Sequence, residues 1–307
     1  MTYEYFLEQA KGDIEKGLKE YGLECETAIV SVEKLQMQSY RGIQVRTKGE
    51  KIGTSLNLIP YWEQMEEGTS YHLVFDEIVQ EILRLLEEVP SIDIEIPYTY
   101  EEIRNRLMFQ IVSTEDNKGI LSTLPHVELE DMSVVFRVDF GAYPDGNTTM
   151  LVTNEMMDLY GITTDRLYQD TKKIAPLTHP AIVKRLDVMM NELSGGMFPE
   201  EEDEDYPMYV VSTECQSYGA AAILYPGILE QMSEELETDF FLLPSSLHEM
   251  ILVKDEGAFG AEGLVQMVRD INASEINRED KLTDSVYYYK RKEQEFRLAK
   301  GKNLLNS

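Results

Sequence analysis

The chain predicts an α+β fold: mixed, largely antiparallel sheets with packed helices, and room for a division into two lobes. Three observations lead there. Strand-like and helix-like segments fall in separate runs rather than in strict alternation, which argues against a doubly wound parallel sheet. No internal repeat of fixed period is present. The composition, 43% hydrophobic and 28% charged over 307 residues, is that of an ordered globular protein able to bury a sizeable core.

The first ninety residues read α-β-β-β-α. From Tyr3 to Tyr21, Phe6, Leu7, Ala10, Ile14 and Leu18 recur at helical spacing, and Gly22 supplies the stop. Thr27–Leu35 and Tyr40–Thr47 are β-rich and read as a hairpin, followed by a short run, Thr54–Ile59, closed by Pro60, which interrupts a ladder. Trp62 and Met65 lead to Thr69 and Ser70, either of which can cap a helix over Tyr71–Glu88. Val74, Ile78, Ile82 and Leu85 make its buried stripe. These segments define an N-terminal lobe, residues 1–92.

A Pro-punctuated connector (PSIDIEIPYTY) leads to a larger lobe, residues 98–289. A short helix near Tyr100–Arg106 opens it. Leu107–Val112 and Met132–Phe140 follow as strands, with a small helix around Asn117–Leu124 between them. TTMLVT is a strand entering the helix Asn154–Tyr160; Thr163–Lys173 and Pro180–Leu193 read as amphipathic helices. Residues 194–207 (SGGMFPEEEDEDYP) form an acidic loop. Met208–Val253 reads as a compact strand–loop–helix–strand–strand unit, followed by a helix over Ala261–Ile271 and a strand over Asp284–Tyr289. Residues 290–307 are a basic tail, read as a frayed helix, in which six basic residues stand against two acidic ones between Lys290 and Lys302.

Charge is the chain's unusual number. Lys+Arg 28 against Asp+Glu 57 gives −29 at pH 7, with a local peak at Glu200, Glu201, Glu202, Asp203, Glu204 and Asp205. Such a surface repels phosphate backbones and anionic membranes, so direct nucleic-acid or membrane binding is not expected. It suits solubility, a basic protein partner, or mimicry of nucleic acid towards a DNA-handling protein. No apolar run approaches the ~20 residues that span a bilayer, and the polar, acidic start does not read as a secretory signal. The two cysteines, Cys25 and Cys215, form no disulfide framework or zinc-type cluster, and a reducing cytoplasm is the simplest setting.

Chemistry-bearing residues are sparse. PSSLHE gathers Ser245, Ser246, His248 and Glu249, but a serine nucleophile needs a base within about 3 Å of its hydroxyl, itself oriented by a third group. Neighbours in an extended chain alternate in direction, and no GxSxG elbow is present, so turn-capping serines and a structural histidine are the simpler reading. His126 follows Pro125 with Asp131 five residues on; the two could share an orienting hydrogen bond or await a third metal ligand, or the histidine could fix a turn. His72 and Asp76 stand at i, i+4 on a helix whose other acids mark a solvated face. HExxH, DxDxDG, GxGxxG and GxxxxGK[ST] are absent, and no cofactor is expected. GAFGAEG is glycine-rich but acidic, and the tyrosines Tyr287–Tyr289 before KRK read as a sheet strand rather than a stacking platform.

Four blocks taken together resemble an uncharacterised clostridial domain-of-unknown-function family. They are NLIPYWEQMEEGTS, NKGILSTLPHVELEDMSVVFRV, LVTNEMMDLYGITTDRLYQDTKKIAPL and the stretch from Tyr209 to Val253. The resemblance runs from about Leu56 to Tyr289 and takes in Pro125, His126, Asp131, Asn154, Tyr225, Pro226, Pro244, Ser245, His248 and Glu249. It implies a cytoplasmic protein of Firmicutes bacteria and carries over no reaction. The acidic run and the basic tail lie outside the shared pattern.

The sequence therefore points to a non-enzymatic, cytoplasmic interaction protein that engages a basic protein partner through its acidic surface, as an inhibitor or nucleic-acid mimic acting on a DNA-handling or defence protein. The alternative is a hydrolase-like enzyme using His126 and Asp131, or the Ser245–Glu249 segment.

Overall fold

A computed structural model describes residues 1–32, 34–36, 39–50, 53–88, 99–143, 146–196, 208–257 and 260–299. The connector at 90–98, the run Glu200–Asp205 and the end of the basic tail lie outside them. The chain divides into two compact units, Met1–Glu95 and Ile96–Ser307.

In the first unit, α1 (Tyr3–Glu20) begins where Thr2 accepts the Tyr5 N–H at 3.4 Å. Its five expected apolar residues are all fully buried. Each such side chain contributes roughly 1.5–3 kcal/mol of transfer free energy. β1 (Cys25–Val32) and β2 (Tyr40–Thr47) pair antiparallel from Cys25↔Thr47 to Val32↔Tyr40, and β3 (Thr54–Leu56) adds to β2. The strand stops at Leu56, short of the expected Ile59, and Pro60 lies in the first turn of a helix the periodicity does not announce, α2 (Ile59–Glu66). A first-turn proline sacrifices no helical hydrogen bond and arrives with helical φ. α3 (Tyr71–Glu88) buries Val74, Ile78 and Ile82 as expected, together with Val79. At Gly42 no side chain fits, because a Cβ there would sit 2.2 Å from the Leu56 carbonyl oxygen.

In the second unit, α4 (Tyr100–Arg104) precedes a sheet of four antiparallel strands. β4 (Leu107–Ser113) lies along one side of β6 (Met132–Tyr143). β5 (His126–Leu129) and β7 (Gly146–Leu151) pair with successive stretches of β6, Met132–Val135 and Arg137–Tyr143. The short α5 (Lys118–Leu121) links β4 to β5. After α6 (Asn154–Tyr160) comes α7 (Thr164–Thr178), which runs past the predicted end and carries Pro176 in its last turn.

The segment read as one helix from Pro180 to Leu193 is instead a strand, β8 (Ala181–Arg185), and a helix, α8 (Leu186–Leu193). Ile182 and Val183 are β-branched, and pairing with β9 (Met208–Thr213) from Ala181↔Thr213 to Arg185↔Tyr209 overrides their helical spacing. A 3-10 helix (Gly219–Leu224), α9 (Ile228–Glu235), β10 (Phe240–Ser246) and β11 (Glu249–Lys254) complete the unit expected over Met208–Val253. α10 (Ala261–Ser274) follows, then β12 (Tyr287–Lys290). The start of the basic tail is no frayed helix. Glu295–Leu298 forms β13, paired with β12 from Tyr287↔Leu298 to Lys290↔Glu295, because Phe296 stacks on Tyr287 at 5.1 Å between ring centroids. The result is a six-stranded antiparallel sheet in the order β13-β12-β10-β11-β9-β8.

One carboxylate fastens the two sheets of this unit. Asp131, in the turn between β5 and β6, accepts hydrogen bonds from Ser285 Oγ at 2.6 Å and from the Tyr287 hydroxyl at 2.5 Å. Tyr287 is fully buried; burial first, and the Asp131 carboxylate next, raise its phenol well above the ordinary tyrosine range.

Three outcomes follow from this packing. Y287F should cost about 1–3 kcal/mol in chemical denaturation, because Asp131 loses a charge-assisted donor in a buried setting; an unchanged midpoint would show that Asp131 is not fastening the sheets. G42A should lower the melting temperature, since the Leu56 carbonyl that meets the new methyl is backbone in a paired strand and cannot step aside cheaply. Burial also raises Tyr3, to about 12, and the phenols of Tyr71, Tyr100, Tyr225 and Tyr288 further. A phenol whose folded pKa exceeds its unfolded value of about 10 lends stability that is whole below that pH and declines as pH rises above it, for Tyr3 up to about 12. Ultraviolet phenolate titration should therefore show a group of tyrosines that ionise only together with unfolding; simple titration of all of them near pH 10 would contradict the burial.

Candidate functional site

Strand alternation gives β6 two unlike faces. Val134, Phe136 and Val138 point to the apolar side, where the rings of Phe109, Phe136 and Tyr168 gather within 6.5 Å of one another. Ser133, Val135, Arg137 and Asp139 take the other face. Gln110, opposite Val135, and Thr149, opposite Asp139, join them there.

Arg137 is the focus of that polar face. Its Nε donates to Thr149 Oγ1 and its Nη1 to Gln110 Oε1, both at 2.8 Å, while Cζ lies 4.8 Å from the centre of the Tyr218 ring. It makes no ion pair among the described residues. Burial pulls the guanidinium below its ordinary pKa, and the Tyr218 phenol offsets part of this. Two positions along, Asp139 accepts the Gly141 N–H at 2.8 Å and faces His179 Nε2 at 3.0 Å. His179 is buried, and its Nδ1 is 2.9 Å from Thr178 Oγ1. Carboxylate, imidazole and hydroxyl thus form a chain along which a proton can be held.

The second wall comes from the loop after β9. Tyr218 adopts a left-handed backbone conformation (φ +54°, ψ 28°), and Gly219 is pressed so close that a Cβ would fall 2.3 Å from Ser212 Oγ and 2.4 Å from the His248 carbonyl oxygen. The Tyr218 N–H donates to His248 Nδ1 at 3.3 Å, which places the imidazole proton on Nε2, 3.4 Å from Asp280 Oδ1.

The sequence candidates are distributed differently from a single centre. His126 turns Nδ1 to the Leu124 carbonyl oxygen at 3.0 Å, fixing the entry into β5, whereas Asp131 serves Ser285 and Tyr287. Ser245 Oγ donates to Glu249 at 2.9 Å, and Ser246 Oγ accepts the His248 N–H at 3.0 Å in the β10–β11 turn. Among the described residues neither serine hydroxyl contacts an imidazole, and no three His, Cys, Asp or Glu side chains meet as a metal-binding group. Glu200–Asp205 lies outside the described residues. Arg137, Asp139, His179 and Tyr218 were not singled out by motif. The period-two alternation of MSVVFRVDF is the signal that puts Arg137 and Asp139 on one face.

The first unit offers a different surface, an open groove of about 730 Å³ between β3, α2 and α3. Leu56, Pro60 and Tyr61 supply its apolar part, and Asp76, Glu77 and Glu81 its acidic part. Arg84 lines the groove but is held on Glu81, with Nε and Nη2 donating at 2.9 and 2.6 Å. Asp76 faces His72 at 3.0 Å, and Glu77 has no ion pair among the described residues.

No described helix is long and apolar enough to cross a membrane. No curated protein and no solved structure matches the chain. The model of a family of unknown function, DUF5688, matches residues 3–291, nearly the whole chain. The chain belongs to the DUF5688 family.

Proposed function

We propose that this protein is a non-enzymatic interaction module that docks a basic protein partner on an acidic surface. The observation that carries the reading is the groove of the first unit, where an apolar floor and three carboxylates with a single cation, itself held by Glu81, lie together. A segment bearing lysine or arginine beside an apolar anchor fits that chemistry, burying its anchor against Tyr61 and pairing its charge with Glu77. The excess of 57 acidic over 28 basic residues then steers a basic partner towards the protein over longer range. In a bacterial cytoplasm, the setting the resemblance to a clostridial family implies, a basic partner of this kind is a DNA-handling or defence protein, inhibited by a surface that competes with nucleic acid.

The test is affinity capture from the native host at low and at moderate salt, with wild-type protein and the charge reversal D76K/E77K. A basic partner should be retained at low salt and released as the Debye length shrinks from ~10 Å at 0.1 M to ~3 Å at 1 M. The reversal, at exposed positions, should leave the fold intact and abolish retention. Recovery of no partner at either salt, or a partner indifferent to both salt and reversal, would end this reading.

A further inference from the structure

We propose that Arg137 anchors a binding site for a small oxyanion, a phosphate or carboxylate group of a low-molecular-weight ligand, on the polar face of the four-stranded sheet.

The anomaly behind it is a cation without a counter-charge. The chain has two acids for every base, yet this partly buried guanidinium is met by the neutral oxygens of Gln110 and Thr149 and by a tyrosine ring. Asp139, the acid on the same face, is engaged by His179 and Gly141. Withdrawing a charge from water costs several kcal/mol unless another charge compensates it, so an uncompensated guanidinium is a standing demand for an anion. Nε and Nη1 are spent on the protein. Nη2 makes no hydrogen bond among the described residues and is left to donate outward.

Four elements hold that group in one orientation. β4 and β7 grip it through Gln110 and Thr149, β6 carries it, and the loop after β9 lays Tyr218 over it. The loop accepts a left-handed tyrosine and an obligatory glycine to do so, strain of the sort that persists where surrounding structure enforces it. A guanidinium fixed in this way has lost its rotamer freedom before a ligand arrives, and fixed planar donors suit phosphate and carboxylate better than a mobile lysine does. His248 backs the tyrosine, its ring centre 6.2 Å from that of Tyr218. Ligand arrival should therefore be felt at the β10–β11 turn as well.

Thermal unfolding at constant ionic strength, with sodium chloride replaced stepwise by phosphate or by succinate, tests the site. The wild-type melting temperature should rise with the oxyanion and not with chloride. A response to phosphate alone assigns a phosphate-bearing ligand, a response to succinate alone a carboxylate-bearing one, and a response to both a site that takes either group. R137Q, which keeps a hydrogen-bonding side chain without the charge, should weaken the response about tenfold or more, as expected for a lost charge-assisted hydrogen bond. Should R137Q fail to fold, phosphate and succinate titrations of the wild type followed at the arginine Nε–Hε resonances decide, with Arg137 moving first. No oxyanion-specific stabilisation, an undiminished response in folded R137Q, or an unmoved Arg137 resonance overturns the proposal.

Discussion

The larger unit depends on one carboxylate placed where both of its oxygens accept from the neighbouring sheet. Asp131 occupies the tight turn joining β5 to β6, and its oxygens receive the Ser285 and Tyr287 hydroxyls that lead into β12. Two sheets that exchange no strand are thereby fixed to each other. The Thr114 and Ser133 hydroxyls, 2.9 Å apart, and the Thr114 N–H donating to the Asp131 carbonyl at 3.1 Å continue the polar contact along the start of β6. The fastening begins two residues before Ser133, the first residue of the polar face that carries Arg137 and Asp139. Fixing that end of β6 fixes the register of everything further along it.

Much of this architecture is legible in the sequence because it rests on local pattern. The stripe of α1 needed only helical periodicity, and the hairpin Cys25–Thr47 only two β-rich runs. Where the reading failed, a non-local partner decided. Ala181–Arg185 has helical spacing, but an edge of β9 was vacant and two β-branched residues suited it. Glu295–Leu298 looked like charged tail until Phe296 found Tyr287. Pro60 suggests a ladder's end, yet β3 already stops at Leu56 and the proline instead serves the first turn of α2, a position its fixed φ suits.

The candidate site was less legible for a related reason. Motif reading favours residues close in sequence, so it gathered Ser245, Ser246, His248 and Glu249, which chemistry then keeps as turn contacts. The groups that do converge are Gln110, Arg137, Thr149 and Tyr218, with Asp139 and His179 beside them, drawn from three strands, the end of α7 and the loop after β9. Only alternation within β6 hinted at them. An arginine in a strand looks like any solvated charge until its burial and its missing carboxylate are known.

Net charge acts on the two surfaces with opposite sign. On the proposed function, the charge of −29 draws a basic partner to the groove of the first unit, and salt that screens the field weakens the encounter. At Arg137 the same field opposes any anion, so the local site must outweigh a repulsive background. A bulky polyanion gathers that repulsion over its whole length, whereas a single phosphate or carboxylate meets little of it and gains the full contact with Nη2. Screening lowers the background without greatly touching a contact made within a few ångströms, so salt that loosens the groove leaves the oxyanion site intact. At the proposed oxyanion site this background favours small anions over nucleic acid. The excess of carboxylates that opposes the polymer is what would make Arg137 discriminating.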